Sequence, residues 1–336
     1  MRASIITTAF IAVEGAHAWG SLGHTTIGYI AENLIDKKGE AWARDILNAT
    51  GNSSAGYLAG VATWADSYRS TAEGKFSAPY HFIDAEDDPP TTCDVDYERD
   101  CGSAGCVVSA IANYTQRVQQ TQALSAQQVN YALRFLIHFI GDITQPLHDE
   151  ALALGGNTIP VKFNNKTTNL HATWDTSIPE KFVGGYSLAD AKEWAANLTM
   201  EIQKGKYKKQ AKSWFTKDST ISDPVASAMI WARDGNAYVC SEVIPDGVPA
   251  VQGMELSGAY YADTIDTVEM QIAKGGYRLA NWLDQLAAAS KKVHSKKFVR
   301  AATPEFDIDA LLPAPRELSR AKLARQAVGW DCGHKH

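Results

Sequence analysis

Two histidines in this chain each precede an aspartate by four residues, His138 before Asp142 and His171 before Asp175. On an α-helix this spacing places both side chains on one face, one turn apart. The segment around the first pair carries two apolar stripes, formed by Val129, Ala132, Leu133, Leu136 and Ile140 and by Phe135 and Phe139. A helix that is apolar nearly all round is buried. Because a buried, unpaired carboxylate is costly and no arginine or lysine follows nearby, we expect a divalent metal ion beside Asp142.

The other histidines support a metal centre. The chain has nine histidines, and those between residues 19 and 290 are His24, His81, His138, His148 and His171. A single histidine or aspartate at such spacing is usually an ordinary polar or capping residue, but two such pairs together favour metal ligation. Imidazole and carboxylate donors without thiolates suit Zn²⁺ at a catalytic site.

The first 18 residues have the composition of a secretory signal. Arg2 precedes an apolar stretch over residues 4–13, and the A-H-A tripeptide at 16–18 is typical of a signal-peptidase site. Cleavage there would leave Trp19 with a free α-amine, which can bind a metal, whereas a peptide nitrogen cannot. No later apolar run approaches the roughly 20 residues that cross a bilayer. We therefore expect a secreted, extracellular protein without a membrane partner.

Glycosylation and disulfides agree with secretion. N-x-S/T sequons, of which we expect two to four to carry sugar, begin at Asn48, Asn52, Asn113, Asn165 and Asn197. Cysteines stand at Cys93, Cys101, Cys106, Cys240 and Cys332. Four cysteines allow three pairings. Cys101 and Cys106 are close enough to close a small loop, Cys93 with Cys240 would then join distant segments, and Cys332 is left over.

Helical patterns dominate the chain. Capping boxes at Ser125 with Gln128 and at Ser187 with Asp190 predict two helix starts. Asp223 before Pro224 predicts a third, with proline at the first helical position. Residues 264–286 form a long helical stretch with the Gly275-Gly276 pair as a weak point, and residues 159–163 are the best strand candidate.

These patterns predict a mainly-α single domain over residues 19–290, after a signal peptide at 1–18. Residues 291–336 are rich in lysine, arginine and proline and are expected to form a flexible basic extension, with a nucleic-acid-recruiting arm as an alternative. The net charge of −6 excludes a broad basic field for duplex nucleic acid. Any anionic substrate must therefore be attracted locally, which bound cations would do.

Five motifs together resemble the fungal S1/P1-type single-strand nucleases. They are Trp19-Gly20-x-x-Gly23-His24, WADSYR at 64–69, HFIDAED at 81–87, HFIGDITQPLHD at 138–149 and HATWD at 171–175. The resemblance runs from Trp19 to about Leu286, includes the first four cysteines and excludes the tail. It implies a multi-helix bundle shared with zinc-dependent phospholipase C, with little or no strand, holding three zinc ions.

The resemblance also implies the ligands of each ion. One zinc would be bound by Asp66, His81, His138 and Asp142, and a second by His148, His171 and Asp175. The third would take the α-amine and carbonyl of Trp19 together with His24, and would share Asp142 as a bridge.

The implied activity is endonucleolytic hydrolysis of single-stranded DNA and RNA to 5′-phosphorylated nucleotides, with removal of phosphate from 3′-nucleotides. A metal-bound hydroxide would attack phosphorus in line. Asp66, Asp142 and Arg69 would serve catalysis, and Arg69 would clamp phosphate. A base would stack on Phe82, hydrogen-bond Asp84 and meet Leu154 on its other side, with Asn157 assisting.

Two alternatives stay open from the sequence. A zinc-dependent phospholipase C would use the same scaffold, although the HFIDAED and WADSYR segments favour a nuclease. A secreted, non-catalytic zinc-binding glycoprotein is the other, although Arg69, Phe82 and Asp84 argue against it. We expect a monomer.

Overall fold

The computed structural model describes residues 19–49 and 55–290, and the backbone of two short strand segments at 330–331 and 334–335. The predicted signal peptide, Asn52, Cys332 and nearly all of the predicted basic extension lie outside the described residues. Within them the chain is mainly helical, which confirms the predicted fold class.

The α-helices of the described residues follow one another along the chain as α1 (Ser21–Leu34), α2 (Lys37–Leu47), α3 (Trp64–Arg69), α4 (Tyr97–Asp100), α5 (Val107–Val118), α6 (Ala126–Asp142), α7 (Leu170–Ala172), α8 (Ile178–Val183), α9 (Leu188–Gln203), α10 (Pro224–Tyr238) and α11 (Ala259–Ala289). Short 3₁₀ turns occupy Ala59–Val61, Lys75–His81, Pro146–Asp149, Ala211–Ser213 and Val248–Ala250. Two single π-helical turns cover Thr173–Ser177 and Val239–Val243.

The three predicted helix starts are confirmed. Ser125 and Gln128 form a reciprocal capping box before α6, and Ser187 with Asp190 forms another before α9. Asp223 caps α10 and accepts a hydrogen bond from the Ala226 amide at 3.1 Å. These caps satisfy amide groups that a helix leaves without a partner at its first turn.

Strand structure is confined to two antiparallel pairs in the described residues. β1 (Pro160–Phe163) pairs with β2 (Lys166–Asn169), which confirms the predicted strand at 159–163 to within one residue. β3 (Trp330–Asp331) pairs with β4 (His334–Lys335).

The long helix α11 lies against α1, α2 and α6 and carries the central packing. The predicted long helix over residues 264–286 is confirmed, and α11 continues unbroken through the glycine pair from Ala259 to Ala289. A Cβ on Gly276 would stand 2.4 Å from the Ile30 side chain of α1. The missing side chain lets the two helices approach closely, and this packing offsets the low helix propensity of glycine.

Two disulfides join segments of the described residues. Cys93 pairs with Cys240 and Cys101 with Cys106, as predicted. Among the described residues, no helix combines the length and the apolar character that a bilayer crossing needs.

Candidate metal centre

One group of predicted ligands, which combines the four of the first zinc with His24 of the third, converges from four elements of the fold. We call it cluster A, and its side chains are at most 3% exposed: His24 of α1, Asp66 of α3, His81 at the end of a 3₁₀ turn, and His138 and Asp142 of α6. The burial of α6 explains this arrangement. From Phe135 to Asp142 every residue of that helix is buried, so its polar pair faces the protein interior, as the stripes predicted.

Cluster A is tightly packed around Asp142. One carboxylate oxygen, Oδ2, lies 3.0 Å from His81 Nδ1 and 3.2 Å from His138 Nε2. The other, Oδ1, lies 3.1 Å from His24 Nε2. Asp66 Oδ1 lies 3.7 Å from His81 Nδ1 and 3.5 Å from His138 Nε2. Asp142 therefore contacts three imidazoles through two oxygens.

A second group, cluster B, consists of His148, His171 and Asp175. His171 Nε2 lies 3.2 Å from Asp175 Oδ2, and the rings of His148 and His171 have centroids 4.9 Å apart. One ligand-type atom from each of the three side chains lies within 4.8 Å of the others. The His171–Asp175 pair spans α7 and a π-helical turn rather than one regular helix, yet the two side chains still meet.

Backbone carbonyls fix the orientation of three imidazoles. The Nδ1 atoms of His138, His148 and His171 lie 2.7, 2.7 and 2.6 Å from the carbonyl oxygens of Ala62, His81 and Gly155. Each contact sets the tautomer and leaves Nε2 directed into its cluster, an arrangement that is typical of histidines bound to metals. Sequence reasoning missed these carbonyls, because a carbonyl has no side-chain signature.

Burial and charge shift the titration of both clusters. Burial lowers the pKa of His81 to about 3 and that of His148 to about 4. Burial also opposes protonation of His138, but Asp142 and Asp66 raise its pKa to about 10. In cluster B, burial raises the pKa of Asp175 well above its usual range. The protein therefore supplies more negative charge to cluster A than to cluster B.

Arg69 lies at the edge of cluster A. Its side chain is 4% exposed, and Nη2 lies 3.2 Å from Asp66 Oδ1. Phe82 and Asp84, one and three residues after His81, are also buried. The Phe82 carbonyl accepts a hydrogen bond from the Val107 amide at the start of α5, at 2.9 Å. This hydrogen bond joins the segment after His81 to α5, which begins directly after the Cys101–Cys106 disulfide.

Leu154 and Asn157 belong to a left-handed turn beside cluster B. The φ angles of Ala153, Leu154, Gly155 and Gly156 are +52°, +59°, +62° and +77°. Asn157 Nδ2 donates to the Leu154 carbonyl at 2.8 Å, within the same turn. Non-glycine residues rarely adopt this conformation, and such backbone is concentrated at functional sites. The turn presents the Gly155 carbonyl to His171.

Trp19 lies between the two clusters. Its side chain is fully buried, and its indole Nε1 donates to Thr144 Oγ1 at 3.0 Å. The next amide, of Gly20, donates to the Asp175 carbonyl at 2.7 Å. The backbone at Trp19 therefore runs against a residue of cluster B, while His24, five residues later, contacts Asp142 of cluster A.

The predicted sites are thus brought together in part. Eight predicted side-chain ligands form the two clusters, with Arg69, Phe82 and Leu154 at their borders; the roles of all of them stay predictions.

Among the predicted glycosylation sequons, Asn48, Asn165 and Asn197 are exposed and Asn113 is 6% exposed.

Comparison with known proteins gives the family. A family model described as S1/P1 Nuclease matches residues 19–288. Nuclease PA3 from Penicillium sp is 54% identical over 268 residues, which cover 80% of this chain and 97% of that protein. Nuclease S1 from Aspergillus oryzae is 50% identical, covering 81% and 93%, and Endonuclease 3 from Arabidopsis thaliana is 31% identical, covering 84% and 93%. The chain therefore belongs to the S1/P1 nuclease family and is a hydrolase of phosphodiester bonds.

Proposed function

We propose that this nuclease is a zinc-dependent endonuclease that hydrolyses single-stranded DNA and RNA to 5′-phosphorylated nucleotides and dephosphorylates 3′-nucleotides. The observation that carries the proposal is the convergence of buried imidazoles and carboxylates in two adjoining clusters, with a guanidinium at their edge. The 3′-nucleotidase part and the identity of the products rest on the family resemblance.

The spacing of the donors in cluster A fits zinc. Zinc bonds of about 2.0–2.1 Å in a tetrahedron separate neighbouring ligand atoms by about 3.3 Å. Five distances among the donors of Asp66, His81, His138 and Asp142 span 3.0 to 3.7 Å. Such close approach of buried donors, all without thiolate, suits a catalytic rather than a structural site. We assign one zinc to these four residues.

Two more ions account for the remaining donors. His148, His171 and Asp175 would hold a second zinc, and His148 Nε2, which is buried without a hydrogen-bond partner, supports a ligand there. A third zinc would take His24, the α-amine and carbonyl of a processed Trp19, and Asp142 as a shared ligand. The contact of His24 with Asp142 Oδ1, at 3.1 Å, supports the shared role.

When bound, zinc ions supply a lowered pKa for water and positive charge for the phosphate oxygens. The residues of the chain position the substrate around them. Arg69 is held by Asp66 with its guanidinium at the edge of cluster A, where its planar donors match phosphate oxygens. Asp142 and Asp66 provide the negative charge that retains cations in a buried site.

Strand selectivity would come from a base pocket beside the centre. Phe82 and Asp84 follow His81, and Leu154 with Asn157 lies in the turn that contacts His171. A base can enter such a pocket only after leaving its stack, which costs least in a single strand. Phe82→Ala should therefore reduce single-strand cleavage and selectivity over duplex.

The deciding experiment compares substrates on one protein preparation that begins at Trp19. A labelled oligonucleotide is offered as a single strand and annealed to its complement, beside phosphatidylcholine vesicles, with and without chelator and added Zn²⁺. We expect cleavage of the single strand, lost on chelation and restored by zinc. Hydrolysis of the lipid alone, or zinc binding without cleavage of any substrate, would overturn the proposal in favour of the phospholipase or the non-catalytic protein.

The amine ligand has its own test. One extra residue before Trp19 converts the α-amine into an amide, which should remove one zinc and most of the activity. Native mass spectrometry counts the ions, and an extended protein with three zincs and full turnover would refute this ligation. Native mass spectrometry of the protein secreted from its full-length precursor would test our further proposals of a secreted, glycosylated monomer with one catalytic domain over residues 19–290 and a flexible basic tail.

A further inference from the structure

An aromatic surface borders cluster A on the side of α3. We call it the aromatic ledge, and it consists of Trp64, Tyr68, Phe76 and Tyr131. Trp64 and Tyr68 stack with ring centroids 4.4 Å apart and planes at 18°, and Trp64 also meets Tyr131 at 4.7 Å. These three rings are half-buried, so the ledge presents aromatic area to solvent.

Phe76 is the exposed end of the ledge. Its side chain is 45% exposed, and it meets Tyr68 edge-on at 6.5 Å and Tyr80 at 6.0 Å. Exposure of a large apolar ring costs free energy, and contiguous apolar area on a soluble protein often marks a binding surface. The ring contacts of Phe76 distinguish it from isolated surface residues.

The ledge is continuous with the metal centre. On α3, Trp64 and Tyr68 alternate with Asp66 and Arg69, so a single short helix carries both the ledge and the edge of cluster A. Phe76 lies five residues before His81 in one 3₁₀ segment. Any movement of a strand from the centre along α3 therefore brings it onto the ledge.

Helix α6 gives the distance between the ledge and the centre. Tyr131, Phe135, His138 and Asp142 follow at intervals of four, three and four residues and share one face. With a rise of 1.5 Å per residue, Tyr131 lies about 10 Å along the axis from His138. A stacked strand covers that distance in about three nucleotides at 3.4 Å each, and an extended strand in fewer.

A cation and an anion both border the ledge, since Arg134 lies beside Trp64 and Glu73 is hydrogen-bonded to Tyr68. The Arg134 guanidinium lies 5.5 Å from the Trp64 ring centroid, and its Nε donates to Asn130 Oδ1 at 2.7 Å. Aromatic rings beside arginine are the combination with which proteins bind single strands, because rings stack bases and guanidinium groups attract phosphates.

We propose that the aromatic ledge, with Phe76 at its exposed end, stacks a base of the single strand two or three nucleotides away from the cleaved phosphate. This inference rests on the proposed function and adds a second stacking position to the Phe82 pocket. The occupant is a base of the substrate strand, since the ledge adjoins the residues assigned to phosphate cleavage.

The test measures how much kcat/KM increases when the substrate strand is longer. We compare kcat/KM for a dinucleotide, which ends before the ledge, with kcat/KM for an oligonucleotide that extends several nucleotides on both sides of one cleavable linkage. In Phe76→Ala the ratio of the two should fall about tenfold, the effect of one lost stacking contact. Phe76→Trp should restore the ratio, because a larger ring stacks at least as well.

Phe182 provides a matched control. It is 42% exposed, close to the value for Phe76, but its ring contact is with Trp194 of α9, at 5.9 Å. Phe182→Ala should leave the ratio within about twofold of the wild type. An equal fall in both variants, or an unchanged ratio in a folded Phe76→Ala with normal zinc content, would overturn the ledge.

A direct readout separates this inference from the proposed function. A slowly cleaved phosphorothioate oligonucleotide with 5-iodouracil at successive positions is irradiated on the zinc-loaded enzyme, and the crosslinked peptide is identified by mass spectrometry. We expect crosslinks to the peptides of Tyr68 or Phe76 at two or three nucleotides from the linkage. If the dinucleotide and the oligonucleotide are both cleaved but the crosslinks lie at other peptides, only the proposal for the ledge is refuted. If neither substrate is cleaved, the proposed function itself is refuted.

Discussion

Clusters A and B adjoin each other but are built by different means. Cluster A takes its side chains largely from regular helices, and His138 and Asp142 are one turn apart on α6. Cluster B takes them from a 3₁₀ turn, the short helix α7 and a π-helical turn. The difference extends to charge, since Asp66 and Asp142 both face cluster A whereas cluster B has Asp175 alone.

The comparison shows how each cluster depends on its surroundings. Cluster A is held by helix packing and by the mutual contacts of its members, so its most sensitive member is Asp142, which touches three imidazoles. Cluster B depends on backbone that is not helical, above all on the left-handed turn that orients His171. Substitutions in cluster A and in cluster B should therefore have different effects on metal content and activity.

The largest effect is expected from Asp142→Asn. Loss of its charge removes the common partner of His24, His81 and His138, and transition-state stabilisation of several kcal/mol depends on cations held there. We expect kcat/KM on single-stranded DNA to fall by about a thousandfold or more, with loss of at least one zinc by elemental analysis.

Asp100→Asn is the control for Asp142→Asn, because Asp100 is an equally buried carboxylate that is paired with Arg99 outside both clusters. It should keep the full zinc content even if it lowers the melting temperature. A zinc-replete, active Asp142→Asn enzyme would show that cluster A does not depend on a shared carboxylate.

A smaller effect, limited to cluster B, is expected from Gly155→Ala. The new Cβ would stand 2.6 Å from the Leu147 carbonyl oxygen and 3.4 Å from His171 Nδ1, at a φ of +62°. The turn must shift, and the His171 ring with it. Loss of a group that orients a ligand typically lowers metal affinity about 10–100-fold, which chelator competition would measure as the early release of one ion.

Gly184→Ala controls for the backbone strain of Gly155→Ala. Gly184 has a φ of +78°, and apart from its chain neighbours no atom of the described residues lies within 4 Å of the position that an added methyl group would take. Both variants should lose about 1–2 kcal/mol of stability from the left-handed conformation. Equal metal release from the two would mean that strain, and not the orientation of His171, controls cluster B.

The same contrast explains what the sequence could predict. The His138–Asp142 pair was predictable because helical spacing and apolar stripes follow from local periodicity. The convergence of α1, α3 and α6 depends on tertiary packing, and the residues of separate elements were grouped only through the family resemblance. The Ala62, His81 and Gly155 carbonyls and the left-handed turn at Ala153–Gly156 could not be predicted, since they depend on backbone conformation. The close contact of Gly276 with Ile30 of α1 could not be predicted either, because it depends on how the two helices pack.

The smallest expected effect is a difference in pH dependence between the clusters of the chelator-treated protein. Burial lowers the pKa of His148 to about 4, so its contribution to stability is present above the unfolded value near 6.5 and is lost as pH falls toward 4. The pKa of His138 shifts the opposite way despite its burial, to about 10 beside Asp142 and Asp66. Its contribution is therefore present below about 6.5 and is lost as pH rises toward 10.

Melting temperatures of His148→Gln and His138→Gln, measured from pH 4 to pH 10, would test this contrast. Relative to the wild type, His148→Gln should flatten the acid side of the profile and His138→Gln the alkaline side. We expect differences of a few degrees, since 1 kcal/mol corresponds to about 2–4 °C in a domain of this size. Parallel profiles for the two variants would contradict the contrast, because they would mean that the carboxylates of cluster A do not hold a proton on His138 in the absence of metal.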